Sequence, residues 1–90
     1  MPSFVDFEWD DNKRAANAEK HGIDFADAVK IFDDPQRLTF RASHRSEERF
    51  LSIGAMRGRI VTVVFTLRGD KVRIISARHA RKSERAQYER

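Results

Sequence analysis

No cysteine occurs anywhere in the ninety residues, so disulfides and thiolate metal sites are excluded, in keeping with a reducing compartment. Prolines number two and glycines four, and no stretch is repeated or of low complexity, so the few glycines present act as punctuation. Long apolar runs are missing too: the longest, Ile60 to Leu67, contains Thr62 and Thr66 and falls far short of the ~20 residues a membrane span needs. The opening Met1-Pro2-Ser3-Phe4-Val5-Asp6 lacks the basic start and apolar core of a signal peptide, so a cytoplasmic setting with no membrane partner is expected. Three histidines, His21, His44 and His79, share no metal-ligand spacing, and no H-E-x-x-H, Gly-rich phosphate loop or G-x-S-x-G occurs. Neither a metal nor a cofactor is therefore expected. Ninety residues form one domain, 1–90, which buries only somewhat over ~60% of its unfolded surface and needs a well-filled core, a partner, or both.

What is abundant is charge, and it is unevenly spread. Residues 1 to 36 carry four Lys or Arg against nine Asp or Glu, whereas residues 68 to 90 carry eight against three. The net charge of +4 thus hides a polarised molecule, with a basic C-terminal third of the kind that approaches nucleic acid. The plainer alternative is that these cations only keep a small domain dispersed in water.

The chain divides by its periodicity. Phe4 to Trp9 alternates apolar and acidic residues as a short strand does, and Asp10 or Asp11 can cap a helix that ends at Gly22. Asp24 reads as the next N-cap, with Phe25, Ala28, Ile31 and Phe32 at helical spacing and Pro35 as the stop. From residue 37 the period becomes two. Arg37 to Ala42 reads as an edge strand, His44-Arg45-Ser46 as a loop, and Glu47 to Met56, Arg59 to Arg68 and Lys71 to Ala77 as strands joined by tight turns at Arg57-Gly58 and Gly69-Asp70. A C-terminal helix follows, capped by Ser76, with Arg78, Lys82 and Arg85 along one stripe. The class is α+β: an antiparallel β-meander packed against two N-terminal helices, with a C-terminal helix.

Two-residue turns fix the pairing. Arg68 faces Lys71, Thr66 faces Arg73 and Met56 faces Arg59, which carries Arg49 to Thr66 and Glu47 to Arg68. Val61, Val63, Phe65, Leu67, Val72 and Ile74 then share a core face. Glu47, Arg49, Arg68, Lys71 and Arg73 gather on the other, where cations this close call for a negative partner such as phosphate, which guanidinium groups match bidentately. A surface ion network in which Glu47 bridges arginines and nothing binds is the competing reading. Lys20 and His21 close the first helix, where cations suit the helix dipole; as a functional pair they would offer a cation and a proton donor to a strained phosphate.

Taken together, the chain resembles the BrnT family, the toxins of BrnT/BrnA type II toxin–antitoxin systems in the RelE-like ribonuclease superfamily. Phe7-Glu8-Trp9-Asp10 looks like its opening signature, Asn17 with Lys20-His21-Gly22 like its N-x-x-K-H-G, and Asp34-Pro35 like the exit of its second helix. Glu47-x-Arg49, Thr66-x-Arg68-Gly69 and Arg73-Ile74-Ile75-Ser76-Ala77-Arg78, closed by Ala80, Glu84-Arg85 and Tyr88, complete a match in order and spacing over nearly the whole chain. His79 departs from it, since lysine is common there.

The resemblance implies a RelE-like fold and a small ribonuclease that slows translation by cutting RNA. It also implies a BrnA-like antitoxin with a ribbon-helix-helix domain, the pair reaching operator DNA only through the complex. Metal-free RNA cleavage needs a base for the 2′-hydroxyl, cations for the phosphorane and an acid for the leaving 5′-oxygen. On that footing Glu47 is the candidate base, His21 or Lys20 the acid, and Arg49, Arg68, Arg73 and Arg78 the cations, with Lys71, Lys82 and Arg85 as further substrate contacts. A non-catalytic nucleic-acid-binding module using the same basic face is the alternative, and a purely structural partner subunit a third. Glu47 weighs for catalysis, because a carboxylate beside the site weakens mere anion binding.

Overall fold

The structure is a computed structural model and describes residues 6–43 and 47–90. Strand β1 (Asp6–Glu8) leads into helix α1 (Asp11–His21), whose ends are set by two residues. The Asp10 carboxylate accepts the backbone N–H groups of Asn12 and Lys13 at 2.8 and 3.1 Å, and Gly22, at φ 70°, takes the left-handed position that ends the last turn. Asp24 then caps α2 (Phe25–Ala28), which tightens into a 3-10 segment, Val29–Asp33. Pro35 stops it by forcing Asp34 into extended backbone.

Four antiparallel strands follow: β2 (Leu38–Ser43), β3 (Glu48–Met56), β4 (Arg59–Arg68) and β5 (Lys71–His79), and then helix α3 (Lys82–Tyr88). Arg57 at φ 51° and Gly58 at φ 78° make a turn whose twist suits a two-residue hairpin, and the predicted pairs Met56–Arg59, Arg68–Lys71 and Thr66–Arg73 are all observed. The expected loop His44-Arg45-Ser46 lies outside the described residues. No helix among the described residues is long and apolar enough to cross a membrane.

The α+β class holds, with four corrections. The sheet is mixed: its order is β1-β5-β4-β3-β2, and β1 runs parallel to β5 with Glu8 beside Arg73. The second helix is half α and half 3-10. A bulge between Val64 and Phe65 makes Ile75 an extra residue, since Val64 pairs with Ser76 but Phe65 with Ile74. The last strand runs on to His79, so Ser76 and Arg78 are strand residues and α3 begins after Arg81. The extension is paired with β4, Thr62 with Arg78 and Val61 with His79, and its outer edge is met by Asn17. Beyond Glu8, where β1 ends, the Asn17 amide stands in for the missing strand: it donates to the Ala77 carbonyl (2.9 Å) and accepts the Ala77 N–H (3.1 Å). Its Nδ2 also donates to the Ile23 carbonyl at 3.0 Å, so this buried side chain ties α1, the helix connection and β5 together.

One face of the sheet packs on α1, α2 and the 3-10 segment. Val61, Val63, Phe65, Ile74 and Ala77 are buried there against Ile23, Phe25, Ala28 and Ile31, while Leu67, expected in the core, is 55% exposed at its margin. Phe32 bridges Phe7 and Phe65, both at 5.3 Å between ring centroids, and Phe65 stacks on Phe50 at 5.4 Å. Gly54 allows the closest approach, because a Cβ there would lie 2.9 Å from Ile31 Cβ.

The opposite face is ordered in rows. Leu38, Ile53, Thr62 and Arg78 form the first, which α3 covers. Phe40, Leu51, Val64 and Ser76 form the second. Carrying the β3–β4 register one pair past Phe50–Phe65 gives a third row of Ala42, Arg49, Thr66, Arg73 and Glu8, and beyond it lie Arg68 and Lys71. Among the described residues α3 reaches this face at the first row, through Thr62 and Arg78, and Arg68 and Lys71 at the hairpin end stay exposed.

Candidate active site

Glu47, Glu48, Phe50, Thr66, Leu67 and Arg68 line an open depression of about 480 Å³ at that end. The β3 and β4 ends are tied by the Thr66 hydroxyl, which donates to the Glu48 carbonyl at 2.7 Å. Arg49 stands beside Glu47 with Nη2 3.9 Å from its carboxylate, a loose pair, and its buried Nε makes no hydrogen bond among the described residues.

On the next strand Arg73 is held differently. Its Nη1 donates to Glu8 at 2.8 Å, and Lys71 lies 4.0 Å from the same carboxylate. The hydrogen bond from Arg73, aided by the charges of Arg73, Lys71 and Arg68, holds the Glu8 carboxyl below the usual carboxylate range. Glu8 thus balances part of the cluster and fixes one arginine in it. Sequence spacing gave no sign of this restraint, since it depends on a parallel pairing across sixty-five residues.

The remaining predicted residues stand elsewhere. Lys20 and His21 line a separate groove of about 290 Å³ between α1 and β5, with Lys13, Ala16, Asn17, Ile75 and Ser76. That groove shares no residue with the depression at Glu47 and Arg68. Lys82 and Arg85 lie exposed on α3.

Arg78 is engaged by Glu84. Its Nη1 and Nη2 donate to the two carboxylate oxygens at 2.7 and 3.0 Å, and the same carboxylate accepts the Thr62 hydroxyl (2.9 Å) and the Arg81 backbone N–H (2.8 Å). The Arg78 guanidinium, with these other donors, brings the Glu84 carboxyl down from 4.5 to about 2. At the other end of α3 the Tyr88 hydroxyl donates to Asp34, which also accepts the N–H of Ala55. The Tyr88 hydrogen bond lowers the Asp34 carboxyl, and Asp34 in turn raises the Tyr88 phenol. Glu84 and Asp34 therefore latch α3 to the sheet at both ends. Trp9 is likewise structural, packed edge-on against Phe25 (6.0 Å) beneath the Arg14 guanidinium.

The fold is thus an α+β sheet with one face packed on helices and, at the hairpin end of the other, Arg49, Arg68, Lys71 and Arg73 set among the carboxylates of Glu8 and Glu47. Residues 9–84 match the family model described as "Ribonuclease toxin, BrnT, of type II toxin-antitoxin system", and the chain belongs to that family. RNA as substrate and an antitoxin as partner come with membership. A search of curated proteins finds no match to the chain.

Proposed function

We propose that this chain, as a single RelE-like domain, cleaves RNA at the open sheet face by a metal-independent route, and that it thereby slows translation in the cytoplasm. The observation that carries this reading is the convergence of Glu47, Arg49 and Arg68 at one end of the sheet, with Arg73 restrained beside them by Glu8. In the proposed step Glu47 takes the proton of a 2′-hydroxyl, and the 2′-oxygen attacks the adjacent phosphorus. Arg49, Arg68 and Arg73 stabilise the added charge of the phosphorane, while Lys71 adds a weaker field from the rim. The P–O5′ bond breaks and the 5′-oxygen takes a proton from water, the hydroxide so formed recovering the proton held by Glu47, leaving a 2′,3′-cyclic phosphate and a 5′-hydroxyl. Lys20 and His21 enter as contacts to a flanking part of the strand, because their groove is separate from the depression.

The antitoxin is proposed to carry a ribbon-helix-helix domain and to bring the pair to operator DNA. Incubating the purified chain, free of antitoxin, with end-labelled RNA and a chelator tests the enzymatic reading. Cleavage should persist and leave cyclic or 3′-phosphate ends. Products bearing 5′-phosphates, or activity abolished by the chelator, would overturn it.

A further inference from the structure

Between the row under α3 and the row of arginines lies the second row of the open face, and its chemistry differs from both. Phe40, Leu51 and Val64 are apolar and follow one another straight across β2, β3 and β4. Leu51 and Val64 are half-buried, and Phe40, at the edge strand, is 42% exposed. A single exposed phenylalanine on a surface is ordinary. This one is set apart by its neighbours: the next row on the same face brings Arg49 and Arg73, with Arg68 and Lys71 beyond. An aromatic surface beside a track of cations is the arrangement by which proteins hold single-stranded nucleic acid, with bases on the ring and phosphates on the charges.

We propose that Phe40, extended by Leu51 and Val64, is a platform on which one base of the RNA stacks while the arginine row holds the neighbouring phosphates. This rests on the reading that the open face receives RNA, and names the part of the site that engages a base. RNA is favoured over a protein occupant by charge complementarity, since the strip is bordered along its other side by the guanidinium groups of Arg49 and Arg73. Stacking tolerates any base, so the platform supplies affinity and registration with little sequence preference of its own.

Affinity for a 2′-deoxy-substituted, uncleavable oligonucleotide, read by fluorescence anisotropy, tests the assignment. Phe40→Leu should weaken binding on the order of tenfold, toward the lower end of what losing one stacked base costs, and Phe40→Tyr should bind as the parent does. Among strands each carrying one abasic position, one should bind the parent protein about as weakly as the intact strand binds Phe40→Leu, and that variant should lose nothing further on it. This arm needs no substitution and so does not depend on how a variant folds. Parental affinity in Phe40→Leu, including the case where it loses antitoxin instead, would overturn the stacking role and hand the strip to the protein partner. Arg73→Ala run in parallel separates the two claims. If it weakens binding and Phe40→Leu does not, the arginine face stands and the platform falls; if neither does, both fall.

Discussion

Removing the Glu84 carboxylate is expected to loosen α3 while leaving the open end of the sheet chemically intact. Glu84 and Arg78 have side chains only 15% and 17% exposed, and the carboxylate accepts four hydrogen bonds, so little solvent screens the pair. The drop of its pKa from 4.5 to about 2 corresponds to about 3 kcal/mol at roughly 1.36 kcal/mol per unit. Residual exposure trims this to about 2–3 kcal/mol, or ~10–20 °C in Tm for a domain of this size. The sign follows from the depressed value: the stabilisation is fully present above pH 4.5 and is lost as pH falls toward 2. Thermal melts of the parent, Glu84→Gln, Arg78→Ala and the double variant at pH 7, 4.5 and 3 would measure it. Both single variants should melt well below the parent at pH 7, with strong coupling in the double-variant cycle, and the gap between parent and Glu84→Gln should narrow at pH 3. An Arg78→Ala protein that melts like the parent yet loses RNA affinity would refute the latch and return Arg78 to the substrate.

Three further outcomes are expected. Gly54→Ala should cost about 1–3 kcal/mol, read by urea titration, because the added Cβ meets the buried Ile31 side chain at 2.9 Å and its carbonyl at 3.2 Å. Asn17→Ala should cost about 2–4 kcal/mol, with hydrogen exchange rising first at Ala77, since it strips the Ala77 N–H and carbonyl of their partner and leaves them under cover. Arg68→Ala and Arg73→Ala should each reduce cleavage ~10²-fold or more, the scale of losing one preorganised charge, with Arg68→Ala melting within a few degrees of the parent because Arg68 is exposed, and Arg73→Ala melting lower because it strips Glu8 of its hydrogen-bond partner.

The meander was legible because its punctuation is local. Arg57-Gly58 and Gly69-Asp70 dictate two-residue turns, and a turn of known length fixes the pairs that follow until a bulge, as at Val64, shifts the register. The ends of α1 were readable for the same reason, since Asp10 and Gly22 act within one helical turn. What escaped depends on groups far apart in sequence. The bulge at Val64 and the extension of β5 lie in the pairing with β4, the outer edge of β5 is met by Asn17 from sixty residues away, and β1 sits parallel on the last strand. Arg78 illustrates the cost: read as part of a helix it falls on a basic stripe, but on the strand, opposite Thr62, it meets Glu84. The side chains near Glu47 were brought to one end of the sheet by register alone. Lys20 and His21, placed by the packing of α1, stand where no periodicity would have put them.

Whether the sheet face cuts RNA with its own side chains is decided by Glu47→Gln. It is to be assayed for affinity on the uncleavable 2′-deoxy strand and for single-turnover cleavage on the matching RNA. Binding should be unchanged or tighter, since one negative charge leaves the cationic cluster, with cleavage reduced ~10²- to 10⁴-fold for want of the base. Cleavage at the parental rate would contradict this.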